Sequence, residues 1–221
     1  MNECGDLPSY LYFIKDLFYN RPMLTKSKSS LAPLLDKLTA PLSTVNPNVL
    51  TGLGLVFPVL FAYFLVQEQY IIALVMYGGI SFDLLDGHTA RRYGKVTKFG
   101  GFLDSTLDRI SDAVIIGAFA AADLVSWPLA ALLIVASFLI SYIRSRAELA
   151  ASGKISLAVG IIERSERLIF IGVNLVLWFL FPEVTISGYN LLEVGFFVLT
   201  ILSLVTICQR ILVAKKKLSK L

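Results

Sequence analysis

Apolar residues gather into six long stretches, at 49–66, 70–89, 99–123, 128–148, 161–181 and 191–212, with short polar connections between them. Each approaches the roughly 20 residues that a helix needs to cross the hydrocarbon core of a bilayer. The pattern predicts an all-α integral membrane protein with six transmembrane helices. Upstream, Leu31, Leu34, Leu35, Leu38 and Leu42 recur at helical spacing, with Ser30, Asp36, Lys37 and Thr39 largely off that stripe. This predicts an N-terminal amphipathic helix lying in the membrane interface, kept short by Pro33 and Pro41. Asn46-Pro47-Asn48 then breaks the chain, because a residue before proline is biased away from helical geometry. The expected organisation is an N-terminal arm with the interfacial helix over 1–44, a six-helix transmembrane domain over 45–214, and a basic tail over 215–221.

Composition agrees with a membrane setting. The 221 residues are 56% hydrophobic with a mean hydropathy of +0.74, above the roughly 45–50% of soluble domains. The basic residues are distributed unevenly. Arg91, Arg92, Lys95 and Lys98 fall between the second and third stretches, Arg144, Arg146, Lys154, Arg164 and Arg167 around the fourth and fifth, and Lys215, Lys216, Lys217 and Lys220 at the end. The alternate connections, at Gln67 to Gln69, Ser126 and Trp127, and Pro182 and Glu183, hold no Lys or Arg. Basic residues concentrate in short cytoplasmic loops, which predicts a multi-pass protein of the cell membrane with both termini cytoplasmic. The formal net charge of +4 suits anionic lipid headgroups and gives no reason to expect a nucleic acid. Tyr70, Trp127 and Trp178 sit where interfacial anchors belong. Cys4 and Cys208 are expected as free thiols, and the acidic, polar start lacks the basic opening of a cleavable signal peptide.

Against this apolar background stand Asp83, Asp86, Asp104 and Asp108. Carboxylates in spanning helices cost several kcal/mol each without compensation, which makes a cluster of them a functional site by default. Asp83 and Asp86 are three apart and Asp104 and Asp108 four apart, so each pair shares a helix face. Converging carboxylates call for cations, and the absence of a nearby Cys cluster or His pair favours hard divalent ions, Mg2+ or Mn2+, over zinc. Two such ions commonly clamp a phosphate or diphosphate. Intramembrane carboxylates could instead fix helix packing as ion pairs, or line a divalent-cation transporter. Neither alternative requires Gly87, Ala90 and Arg91 at fixed offsets from the aspartates. His88 points away from the aspartate face, Arg109 and Asp112 read as structural, and Glu148, Glu163 and Glu166 are expected to pair with nearby arginines.

The string D-x-x-D-G-x-x-A-R, eight residues, G-x-x-x-D-x-x-x-D is complete from Asp83 to Asp108. It resembles the signature of the CDP-alcohol phosphotransferase family, six-helix membrane enzymes that displace CMP from a CDP-linked lipid or alcohol. The resemblance implies two divalent ions held by Asp83, Asp86, Asp104 and Asp108, with Asp108 also the general base on the acceptor hydroxyl. It implies CDP contacts at Gly87, Arg91 and Thr97, and, through the segment NPNVLT, at Asn48, Val49, Leu50 and Thr51. Homodimers are common in the family.

The segments SYIRSRAE, GIIERSERLI and ICQRI are similar to those of phosphatidylinositol phosphate and archaetidylinositol phosphate synthases. Those enzymes join a CDP-lipid, CDP-diacylglycerol or CDP-archaeol, to myo-inositol 1-phosphate. An acceptor with about two negative charges needs cations, and Arg144, Arg146, Arg167 and Arg210 are the expected acceptor contacts. Glycerol 3-phosphate or serine is the alternative acceptor. Ser165 stands where related bacterial enzymes often carry proline, leaving the backbone before Arg167 less constrained.

Overall fold

The computed structural model describes residues 52–80, 93–94 and 97–221. The expected interfacial helix, the break at Asn46 to Asn48 and the end of the second apolar stretch lie outside those residues. Six helices are described: α1 (Val56–Val66), α2 (Tyr70–Gly79), α3 (Lys98–Ala121), α4 (Trp127–Ala150), α5 (Arg164–Leu180) and α6 (Leu191–Leu218). Each falls on one of the six apolar stretches. Of these, α4 and α6 are both long and apolar enough to cross a membrane. The charged N-terminal half of α3 lowers its hydropathy, and α1 and α2 are short, at 11 and 10 residues.

Local chemistry sets the helix ends. Thr97 caps α3, its hydroxyl accepting from the Gly100 amide at 2.9 Å. Pro128 sits in the first turn of α4, where its missing N–H costs nothing. The fifth helix starts at Arg164, three residues later than the apolar pattern suggests, because Glu163 and Glu166 form a capping box. In it Glu166 Oε2 accepts from the Glu163 amide at 3.2 Å. Glu166 thus caps a helix, and among the described residues it has no arginine partner. At the other end of the chain, α6 runs on to Leu218, so Lys215, Lys216 and Lys217 form its last turn, where positive charge complements the helix dipole. The basic run is therefore helical up to that point.

The helices join through an aromatic chain. Phe61 of α1 meets Tyr77 of α2 with ring centroids 5.2 Å apart and Phe119 of α3 at 5.6 Å, and Phe119 meets Phe196 of α6 at 5.0 Å. All three phenylalanines are fully buried. Large apolar side chains such as Ile71, Val75, Val135 and Phe197 are exposed along the helices, a surface suited to lipid. Helix association in lipid depends on packing and interhelical hydrogen bonds, since the tails are as apolar as leucine. Such bonds are present: the Tyr77 hydroxyl donates to the Leu168 carbonyl at 2.7 Å, and Asn174 Nδ2 to that of Leu192 at 3.2 Å.

Between α5 and α6 lies a hairpin the sequence pattern does not announce, β1 (Thr185–Ile186) paired antiparallel with β2 (Tyr189–Asn190). Ser187 and Gly188 both have positive φ, 53° and 85°, as a two-residue turn of the right twist requires. Asn190 then caps α6 by accepting from the Glu193 amide at 2.9 Å and donates to the Leu124 carbonyl at 2.9 Å. The Ser126 amide reaches Glu193 Oε1 at 3.3 Å. These bonds tie the α3–α4 turn to the start of α6.

Gly195 of α6 faces the buried Asn174, and a Cβ at this position would collide with the Asn174 carboxamide. Gly195→Ala is expected to cost about 1–3 kcal/mol, the usual penalty of overpacking, read as a lower melting temperature in detergent. Asn174→Ala in the same chain should recover part of that loss. A double variant no more stable than Gly195→Ala alone would show that the two helices do not meet there.

Candidate functional site

Asp104 and Asp108 lie one turn apart in the first half of α3, both half-buried. Asp83, Asp86, Gly87, Arg91, Asn48, Val49, Leu50, Thr51 and the bystander His88 lie outside the described residues. Among the described residues no group of three or more His, Cys, Asp or Glu could hold an ion by itself. Asp104 and Asp108 offer oxygen donors only, at the spacing that shares a helix face. They fit a hard divalent ion as half of a site. Thr97 is engaged as the cap of α3.

Beyond Asp108 a cavity of about 380 Å³ opens between α3, α4, α5 and α6. Arg109, Arg144, Arg164, Arg167 and Arg210 line it together with Asp108, Asp112, Glu148 and Glu163. The excess of one positive charge suits an anion, and the volume, near the lower end for ligand pockets, suits a small polar molecule better than a lipid.

Each arginine is held differently. Arg164 Nη1 meets Asp108 Oδ1 at 2.7 Å while its Nε meets Asp112 Oδ1 at 3.3 Å, so a single guanidinium bridges successive turns of α3. Arg167 is 2% exposed and donates through Nη2 to Asp112 Oδ2. Its Nη1 is buried with no hydrogen-bond partner among the described residues. Such an unmet donor is rare and costs about 1–3 kcal/mol. Arg210, also 2% exposed, donates to the carbonyls of Val159 at 2.8 Å and Ile140 at 2.5 Å, and to Glu163 Oε1 at 2.9 Å. It therefore ties α6 to α4 and to the 151–163 loop as well as lining the cavity. Arg144 is half-exposed and pairs with Glu148 Oε1 at 3.1 Å; the same oxygen accepts from the Leu157 amide at 2.9 Å. Glu148 and Glu163 therefore pair with arginines as expected.

The structure brings Arg144, Arg167 and Arg210 to one cavity with Asp108. Arg146 is not among the residues lining it: two residues past Arg144, it points to the exposed side of α4. Arg109 and Arg164, which the sequence reading left out of the acceptor set, are lining residues, and so is Asp112, 5% exposed. The signal for Asp112 was present as a third carboxylate extending the Asp104, Asp108 spacing by another four residues.

The family model described as CDP-alcohol phosphatidyltransferase matches residues 44–209. An archaetidylinositol phosphate synthase of Pyrococcus horikoshii is 40% identical over 199 residues, covering 89% of this chain and 98% of that protein. A phosphatidylinositol phosphate synthase of Corynebacterium glutamicum is 35% identical over 186 residues, 78% of each chain. The crystal structure of the Mycobacterium tuberculosis phosphatidylinositol phosphate synthase with CDP-DAG bound superposes with a TM-score of 0.67 at 30% identity, covering 83% of this chain and 92% of that one.

Because Arg210 is both anchor and cavity wall, Arg210→Gln should reduce stability as well as activity. Losing the charge-assisted bond to Glu163 alone removes about 1.5–3 kcal/mol, whereas Arg144→Gln, at a half-exposed pair, should change stability by less than about 1 kcal/mol. Thermal unfolding of the two variants in detergent compares them, and equal melting temperatures would remove the anchoring role.

Proposed function

The chain belongs to the CDP-alcohol phosphatidyltransferase family, and we propose that it transfers a phosphatidyl-type group from CDP-diacylglycerol or CDP-archaeol to myo-inositol 1-phosphate, releasing CMP. The observation that carries the acceptor is the arginine-lined cavity beside Asp108. A neutral alcohol acceptor has no use for five guanidinium groups. In this reading the protein crosses the cell membrane six times, with both termini and the site on the cytoplasmic side. Its partners are CDP-lipid, inositol phosphate, the surrounding bilayer and a second copy of the chain.

In this reading the acceptor phosphate lies in the cavity, whose walls carry the guanidinium groups of Arg144, Arg167 and Arg210. That placement brings the acceptor hydroxyl toward Asp108. Asp108 takes the hydroxyl proton as the oxygen attacks the phosphorus that bears the lipid. The bond from that phosphorus to the CMP oxygen breaks, and CMP leaves. Phosphoryl transfer depends mostly on positioning and charge stabilisation, which is what a fixed set of guanidinium groups supplies. Asp83, Asp86, Asp104 and Asp108 would hold two Mg2+ or Mn2+ ions, which when bound neutralise charge on the diphosphate. Asn48, Val49, Leu50, Thr51, Gly87, Arg91 and Thr97 are the proposed contacts to the CDP moiety.

Asp108→Asn keeps the size of the side chain and removes the base. Transfer should fall by at least about a hundredfold, in the range typical of a general base, while CDP-lipid binding measured in nanodiscs persists. A variant retaining more than about a tenth of activity would end the assignment.

Acceptor competition with radiolabelled CDP-lipid tests the substrate. Inositol 1-phosphate should be used far better than free inositol, because losing charge-assisted contacts costs about ten- to a hundredfold each. Equal use of both, or preference for glycerol 3-phosphate or serine, would replace inositol phosphate as the acceptor.

A further inference from the structure

Helix α3 carries a third acidic residue that the reaction above does not use. Asp104, Asp108 and Asp112 follow each other at four-residue intervals, and each such step turns about 40° around a helix of 3.6 residues per turn. By Asp112 the carboxylate has rotated away from Asp104 by about 80°, and it meets the two arginines of α5. Its two oxygens are divided between them, Oδ1 accepting from Arg164 Nε at 3.3 Å and Oδ2 from Arg167 Nη2. The Asp112 side chain is 7% exposed and that of Arg167 3%. Both arginines line the cavity, and Arg167 keeps Nη1 buried without a partner among the described residues.

We propose that Asp112 is a positioning residue for the anionic acceptor: by holding Arg164 and Arg167 on its two oxygens, it fixes two guanidinium groups on the cavity wall. This rests on the acceptor reading given above. Two free arginines in one small cavity would repel each other and would have to be ordered as the acceptor binds, weakening it. Asp112 removes both costs before the acceptor arrives. It also keeps Arg164 shared, so that this residue does not settle wholly on Asp108.

Steady-state kinetics in nanodiscs separate positioning from a purely structural role. Asp112→Asn retains one acceptor oxygen and turns an amide toward the second guanidinium. The expected result is a rise of about tenfold or more in the KM for inositol 1-phosphate, the low end for a charge-assisted contact, with the KM for CDP-lipid unmoved. Asp112→Glu, which keeps both oxygens, should restore much of the loss. If KM for both substrates rises alike, or if Asp112→Asn leaves acceptor KM at its parental value, the proposal is overturned. Asp112→Asn leaves Arg167 buried without its anion, and it can fail to fold for that reason. In that case Asp112→Asn combined with Arg167→Gln is compared with Arg167→Gln alone. A further rise confined to the acceptor supports the positioning of Arg164, and no further rise overturns it. If the protein uses another anionic acceptor, such as glycerol 3-phosphate, the same comparison runs with that compound, so a wrong acceptor and a wrong role for Asp112 give different results.

Discussion

Asp112 and Arg167 are each almost closed to solvent, and neither could be buried without the other. An isolated ion moved out of water costs several kcal/mol even after relaxation, so removing one member of such a pair leaves an uncompensated charge. The pair therefore sets how α3 meets α5. Arg164, three residues before Arg167 on the same face of α5, is carried to Asp108 by the same contact. The residue proposed as the base and the residues proposed to hold the acceptor are positioned by one junction. Glu163, immediately before α5, then receives Arg210 from α6 at 2.9 Å, which adds a third helix to the network.

The opposite end of the bundle is held by hydrogen bonds without an ion pair among the described residues. Asn190 and Glu193 join the start of α6 to the turn after α3, and the buried Asn174 occupies the space that Gly195 leaves open. Between the two ends, Phe61, Phe119 and Phe196 are fully buried and packed together. Among the described residues the arginines and lysines gather at the site end, and the middle of the bundle depends on shape. Such an arrangement suits a chain whose exterior is apolar, since charged groups at bilayer depth must face the interior or an aqueous cavity.

The six helices could be read from the sequence because apolar stretches of spanning length are a strong signal, with ends good to a few residues. The errors occur where short-range polar chemistry overrides hydropathy: Glu163 and Glu166 cap α5 later than Ile161 suggested, and Lys215 to Lys217 extend α6. The hairpin at 185–190 escaped notice because two-residue strands have no periodicity to detect. In the site, the regular spacing of Asp104 and Asp108 was legible, as was the clustering of arginines near the helix ends. Which arginines converge was not. That depends on rotation about each helix axis, so Arg144 and Arg146 could be separated only when α4 had been set against its neighbours. The pairing of Arg164 and Arg167 with Asp112 spans more than fifty residues, and no local pattern predicts it.

Hydropathy itself follows the division of labour among the helices. The two that are apolar enough to span by composition, α4 and α6, carry their arginines only toward the site end, at Arg144, Arg146 and Arg210. By contrast, α3 carries Asp104, Asp108, Arg109 and Asp112, and α5 opens with Arg164 and Arg167. These charges are tolerable because α4 packs on α3 and α6 on α5, leaving a polar cavity between the four helices. Adding apolar residues to α3 would raise its hydropathy and strip the cavity of its charged wall. Its low hydropathy therefore follows from the charged residues it brings to the cavity.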